Sequence, residues 1–477
     1  MKLTLPSQYD FIPRFSRLAF ASILSNIMIP VCALVDSAFL GHLPDISHLA
    51  GVILAAILFE YLYRVLNFLR SSTNGMTAIA VGKNNSKEIL LVFLRNGFIA
   101  LALGLLILIL QYPLQKLGFT ILSGTPEVKA AGIAYFNARI WAAPAVLLNF
   151  VMIGWFLGKE MGGKILLLSM AGYLTNIVLA YLMIVQWGWE SFGAGLATAM
   201  SQYAAFLVGL TFVCLEIQWR DIPTVSRVIL NWQAFKATFA FNGDILIRTL
   251  VLVSALSIFT NLSAAMGTKA LAQNGLLLQI LTLSHFGVQG IGFATQSFTG
   301  QFKGNGKYNK LKSLVGVAAI SSLLFALPFA LIAILFPHTV FGILTNHAEV
   351  IEDINLYTNW LLPLLAFNAL GLMLEGYFIG LTEGYAIRNA ALIALGLGFA
   401  PTATFAWYLQ SNHLLWLAIS VYMIMVVIVL GGLLPNTLRS SIDEEIISSV
   451  PVEAESLAIA LPTMTVTIEP TSSSKLN

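Results

Sequence analysis

Apolar stretches close to the length of a bilayer crossing recur twelve times along this chain, and that recurrence constrains the fold more than any motif does. About 20 helical residues cross about 30 Å of hydrocarbon, a medium in which backbone N–H and C=O groups must bond within their own segment. Splitting the chain at polar, Gly and Pro clusters predicts helices near 14–41, 47–80, 91–112, 129–158, 164–187 and 192–217, then near 238–266, 270–301, 312–336, 353–381, 389–409 and 414–435. With 58% hydrophobic and 10% charged residues and a mean hydropathy of +0.84, a soluble fold of 477 residues could not enclose so much apolar surface. The expected class is therefore an all-α integral membrane protein.

Lys and Arg collect on cytoplasmic loops, so their distribution sets orientation. With the N-terminus inside, the outer segments hold only Lys116, Lys129 and Lys269, and four arginines (Arg64, Arg70, Arg139, Arg248) fall within helices. The remaining basic residues, Lys2, Arg227 and Lys475 among them, fall on the inner side. Both termini are expected in the cytoplasm. Residues 1–20 show no short apolar core with a small-residue cleavage site, so no cleaved leader is expected. Residues 439–477, rich in Ser, Thr, Glu and Pro, read as a disordered cytoplasmic tail.

An internal repeat appears when Leu49 is set against Leu271, an offset of 222 residues. At this offset Thr73 and Thr77 meet Thr295 and Thr299, Gly82 meets Gly304, and Gly154, Phe156 and Gly158 meet Gly376, Phe378 and Gly380. Chance accounts for scattered Leu matches, but poorly for polar and glycine matches. Each half holds six helices, an even number, so the halves are parallel repeats about an axis along the membrane normal. The expected organisation is an N-lobe at 1–217, a cytoplasmic linker at 218–237 and a C-lobe at 238–438, around a central cavity. Two bundles that can rock about a cavity make transport the leading function class.

A net charge of +3 without a basic, aromatic-laced run argues against a nucleic-acid partner. The chain lacks a phosphate loop, H-E-x-x-H and G-x-S-x-G, and its two cysteines, Cys32 and Cys214, lie in apolar stretches. No enzyme, resident cofactor or metal site is expected, and uphill transport would have to draw on an ion gradient.

Ionisable groups inside spans then carry the functional reading, because a charge at the bilayer centre costs at least about 2.5 kcal/mol. Asp36 in the first helix has no basic residue one turn away and is the leading candidate for an ion or substrate pathway; the bland alternative is a carboxyl hydrogen-bonded between helices. Glu60 with Arg64, and Asp244 with Arg248, stand four residues apart and are read as structural ion pairs. Glu375 has no local partner, and function and packing compete for it evenly. His285 could shuttle protons, although a satisfied core histidine is the commoner case. The Gly154 and Gly376 G-x-x-x-G segments most simply permit close helix packing.

The segments Val35-Asp36-Ser37-Ala38-Phe39-Leu40-Gly41-His42-Leu43 and Phe68-Leu69-Arg70-Ser71-Ser72-Thr73-Asn74-Gly75 resemble the multidrug and toxic compound extrusion (MATE) family, in its DinF-like branch. The resemblance covers nearly everything but the tail. It implies twelve helices in two lobes, export of organic, often cationic compounds against H+ or Na+, and Asp36 as the coupling residue. The branch commonly shows Asn-x-x-x-Asp in its fifth helix; here Asn176 is followed four residues later by Ala180, so the resemblance favours H+ over Na+. Members also place an acid before the tenth-helix Gly-x-x-x-Gly, where Glu375 stands, which makes Glu375 and Asn176 candidates for a secondary cation or substrate site.

The expected function is thus a proton-coupled antiporter in the cell inner membrane, monomeric, with a small organic molecule and lipids as partners. A flippase for a lipid-linked sugar or lipid precursor is the rival within transport, and a non-transporting receptor or scaffold the rival outside it.

Overall fold

The computed structural model describes residues 6–226, 231–344 and 348–449. Among them lie twelve helices long and apolar enough to cross a membrane: α1 Ser7–Gly41, α2 Ile46–Gly82, α3 Ser86–Ile109, α4 Pro126–Gly158, α5 Gly162–Gln186, α6 Glu190–Glu216, α7 Trp232–Ala265, α8 Thr268–Gly304, α9 Asn309–Leu335, α10 Asn355–Gly380, α11 Gly384–Tyr408 and α12 Asn412–Arg439. No strand occurs among the described residues. The chain is an all-α, multi-pass membrane protein.

Several helices begin before their apolar run, because a polar cap starts them. Asn85 accepts from the Glu88 N–H at 3.1 Å, Thr125 from Val128 at 3.4 Å, and Asn231 from Ala234 at 3.2 Å; each satisfies an orphan donor of the first turn. In the loop before α2, the Ser47 N–H bonded at 2.8 Å to Asp45 holds the Asp45 carboxyl below its usual range. The last helix runs on to Ser449, some ten residues into the expected tail, since no Gly or Pro interrupts it between Pro435 and Pro451. Residues 450–477, with Lys475, lie outside the described residues, as do Lys2 and Arg227. The linker carries a turn of helix at Trp219–Asp221 and another at Ile222–Ser226.

Two breaks shape the first lobe. Asn67 interrupts α2 between Leu66 and Phe68, and Pro30 inside α1 lacks the N–H that would bond the Asn26 carbonyl. Helices α1 to α6 pack mainly on one another, as do α7 to α12, and the two groups meet where α8 lies against α1 and α2.

That seam displays the repeat in three dimensions. A Cβ placed on Gly82 would lie 2.8 Å from Gly304 Cα, and one on Gly304 would lie 2.9 Å from Gly82 Cα, so the two mates are each other's neighbours on the pseudo-twofold axis. Within the lobes, a Cβ on Gly158 would lie 2.6 Å from Thr77 Cβ, and one on Gly380 2.7 Å from Thr299 Cβ. The G-x-x-x-G segments thus let helices approach to backbone contact.

Polar bonds across the seam sit toward the N-terminal end of α1 and the C-terminal ends of α2 and α8. Asn74 Nδ2 donates to Phe293 O at 3.1 Å and Asn74 Oδ1 accepts from Ser297 at 2.8 Å. Gln296 donates to Ser71 O, and Gln301 to Gly158 O at 3.0 Å. Phe11 and Phe15 of α1 pack against Phe298 and Phe302 of α8 with centroids 5.5 to 6.0 Å apart. At the rim, Lys310 bridges to Asp10 at 2.6 Å.

Candidate ion-coupling site in the first lobe

Asp36 lies one turn beyond Cys32 on α1, in the half of the helix away from the seam. Its side chain is half-buried, and its Oδ1 is shielded from solvent without a hydrogen-bond partner. Three further helices close around it. Cys32 Sγ donates to Asn176 Oδ1 of α5 at 2.9 Å, and Asn176 Nδ2 donates to Thr198 Oγ1 of α6 at 3.4 Å. Thr198 interacts with the Tyr135 hydroxyl of α4, which accepts from Arg139 Nη1 at 2.5 Å. A chain of polar groups drawn from four helices therefore wraps the carboxyl, and Asn176 and Arg139 both act on it directly.

Arg139 is the component the sequence reading missed. Along α1 no basic residue neighbours Asp36, but α4 supplies one in space. Its guanidinium lies 4.6 Å from the Phe59 ring centroid and 5.5 Å from that of Tyr135, a stacked arrangement that holds it inside the lobe. Its repeat mate is Leu361, and a charge replacing an apolar residue between repeats was the signal available.

The second lobe corrects two sequence expectations. Asp244 does not pair with Arg248. Arg248 Nε donates to Glu375 Oε1 at 2.6 Å and its Nη2 to Oε2, while Asp244 accepts from Arg388 Nη1 at 2.6 Å. Four-residue spacing permits a contact along one helix, but Glu375 of α10 offers Arg248 two parallel bonds in a fork geometry that Asp244 cannot match. Glu375, left without a local partner in the sequence reading, is thereby neutralised from another helix at 8% exposure. The adjacent cleft, about 10 Å³, has room for no more than a water. Glu60 and Arg64 do pair along α2, and His285 sits against Asn368 with Arg64 and Arg248 nearby. A larger pocket, about 350 Å³, opens beside His48 and Glu190 at the end of the first lobe away from the seam and is not lined by Asp36.

A single family model, MatE, matches residues 21–182 and again 245–404, once on each repeat and over more than half of the chain. The chain belongs to the MatE family. It is 32% identical over 408 residues to the DNA damage-inducible protein F of Escherichia coli (strain K12), covering 85% of this chain and 88% of that protein. It is 25% identical over 328 residues to a probable multidrug resistance protein NorM of Rhizobium meliloti (strain 1021), covering 65% and 67%. In fold it matches a MOP superfamily transporter from Pyrococcus furiosus, with a TM-score of 0.80 at 19% identity over 89% of this chain and 96% of that one. A mutant of a Vibrio cholerae MATE transporter matches at 0.79 and 18% identity over 91% and 98%. The expected family and two-lobe architecture stand, and a MatE chain is related to transporters, not to enzymes.

Proposed function

We propose that this MatE protein is a secondary active antiporter that exports organic, cationic or amphiphilic compounds in exchange for protons, with Asp36 as the coupling group. The observation that carries the reading is the shielded Asp36 Oδ1, which has no donor of its own. Binding a proton gives that oxygen side a bond it lacks and removes a charge from a low-dielectric site. Release of the proton restores an anion able to hold a cationic cargo.

Arg139 favours a proton over sodium. A metal ion in this lobe would meet one carboxylate, a resident guanidinium, and the Ala180 methyl group in place of a second acid. Glu375 is occupied by Arg248, which argues against a second cation site in the other lobe.

The lysine and arginine bias supports cytoplasmic termini, and we take the protein to be a monomer of the cell inner membrane. The seam then closes the cytoplasmic side, the state in which cargo leaves outward, and parting of the lobes at the Gly82–Gly304 contact would open the cytoplasmic side to the next cargo. Exchanged one for one, a monovalent cation and a proton move no net charge, so the pH difference drives the cycle: about 1.7 pH units release about 2.3 kcal/mol per proton, enough for roughly fiftyfold accumulation.

The test is purified protein in proteoliposomes with an imposed pH gradient, with or without sodium, following a fluorescent organic cation. Proton-driven uptake that is lost in Asp36→Asn supports the reading; equal uptake by wild type and Asp36→Asn against a gradient refutes it. If neither gradient moves a cation, a lipid-linked cargo becomes the reading to pursue.

A further inference from the structure

Of the four arginines that fall within the spans read from the sequence, three are bonded to a carboxylate or a phenol: Arg64 to Glu60, Arg248 to Glu375 and Arg139 to Tyr135. Arg70 is different. It is 5% exposed, and its Nη1 donates to Asn26 Oδ1 at 3.0 Å, but its Nε and Nη2 are shielded and reach no acceptor. Among the described residues no carboxylate lies within ion-pair distance of it, and the Tyr173 phenol, which acts on it through space, turns its hydroxyl to Ser25 O at 3.5 Å instead. Its guanidinium instead lies 4.1 Å from the ring centroid of Phe293, which belongs to the opposite lobe.

A guanidinium does not shed its proton in a protein, so Arg70 is a permanent cation with most of its donor fork unused. Leaving such a charge unpaired in the interior is strongly unfavourable. Packing does not require it, because its repeat mate is Gly292. The groups around it are also held from across the seam. Asn26 Nδ2 donates to Phe286 O at 3.0 Å, and Asn74 is bonded to Phe293 O and Ser297. When the lobes part on this side, Arg70, Asn26 and Asn74 all lose their α8 partners together. What remains on the first lobe is a patch of N–H donors carrying one fixed positive charge.

We propose that Arg70, with Asn26 and Asn74, binds an anionic oxygen group, carboxylate or phosphate, of the transported molecule, and that the site is presented only when the lobes part at the seam. The inference rests on the alternating-access reading and extends it to cargo: the preferred molecule is amphoteric. The fork of a guanidinium matches a planar carboxylate or a phosphate in two parallel bonds, and stacking on Phe293 covers the cation when the cargo has gone. Asn26 and Asp36 stand ten residues apart on α1, about 15 Å along the helix. The anionic end of a cargo would therefore be read at a different depth from its cationic end.

The experiment compares a zwitterionic rhodamine bearing a free carboxylate with the same dye as its ester, in proteoliposomes holding wild type, Arg70→Gln or Arg70→Lys. Arg70→Gln is expected to raise the half-saturating concentration of the acid about tenfold, the worth of one charged hydrogen bond, while the ester changes less than about twofold; Arg70→Lys recovers part of the difference. Asn26→Asp, which places a carboxylate against Arg70, is expected to raise thermal stability and to abolish the preference for the acid, and it serves even if Arg70→Gln does not fold. A third arm follows a fluorescent phospholipid between leaflets: a loss confined to that arm assigns the phosphate to lipid cargo. Equal changes for acid and ester, or no change in any arm, overturn the proposal. Coupling is judged separately, since Asp36→Asn moving both dyes uphill would sink the antiport reading and leave the acid-to-ester ratio to report on Arg70.

Discussion

The two lobes share a backbone and divide the chemistry. At matched positions Asp36 faces Ile258, Asn176 faces Gly398 and Arg139 faces Leu361, while Glu375 faces Ile153 and Arg248 faces Asn26. The first lobe keeps a carboxyl with an unsatisfied oxygen. The second has its buried acid locked by two bonds to an arginine. A duplicated scaffold thus holds one lobe with an unpartnered carboxyl oxygen and one whose buried acid is matched by an arginine, and the proton-coupling proposal rests on that contrast.

The sharpest way to break this contrast is to remove one carboxyl from each lobe. Asp36→Asn is expected to collapse the roughly fiftyfold accumulation available from about 1.7 pH units to simple equilibration, while Glu375→Gln, once folded, stays within about twofold of wild type in the same uptake assay. Stability should show the reverse. Glu375→Gln strands a buried guanidinium and is expected to lose about 3–5 kcal/mol in thermal or denaturant unfolding, with most of it restored in the Arg248→Met/Glu375→Leu double variant. A loss in Asp36→Asn as large as in Glu375→Gln would erase the distinction.

Where the lobes meet, they should behave alike. Gly82→Leu and Gly304→Leu each insert a side chain against the opposing backbone, and both are expected to cut transport about tenfold or more by holding the seam open, whereas Gly97→Leu, with no atom within 4 Å of its Cβ, should be neutral. Smaller effects sharpen the first-lobe side. Arg139→Gln leaves the carboxyl without its resident cation and is expected to make uptake sodium-sensitive, on the order of twofold when sodium replaces choline at equal ionic strength.

The smallest effect concerns Glu383, in the turn between α10 and α11. Burial raises its carboxyl above the ordinary range, and Lys303 opposes that rise. A folded-state carboxyl raised in this way favours the fold most at low pH, and the contribution is lost as pH climbs through the raised value. Lys303→Met should therefore steepen the decline of melting temperature between about pH 5 and 7, by about 1 °C, measured by scanning fluorimetry.

Much of the fold was legible because a bilayer imposes its period on sequence: each span is an apolar run, and the repeat survives as shared Thr and Gly. Helix starts were read late at Ser86 and Trp232 because Asn85 and Asn231 cap them from outside the apolar run. Asp36 stood out as a charge that the local sequence leaves alone. Its surroundings were legible only in part: the family resemblance singled out Asn176, but not its place beside Asp36, and Arg139 arrives from another helix, of which linear spacing carries no record. The same limit misassigned Asp244 and Arg248: spacing identifies who can meet on one helix, and only the packed bundle decides between that neighbour and Glu375 or Arg388.

The closest approach of the lobes, at Gly82 and Gly304, is backbone against backbone and offers no side chain whose chemistry could set how firmly the seam stays shut. That role falls to the side chains around it, Asn74, Gln296 and Gln301 across the seam and, at the periphery, Lys310, which holds Asp10 at 2.6 Å with Asp10 more than half exposed. Such a bridge weakens as counter-ions crowd it, over a Debye length of about 8 Å at physiological salt. The dwell time of the closed seam should then shorten as the ionic strength on that side of the membrane rises, so that salt sets how long the lobes stay together.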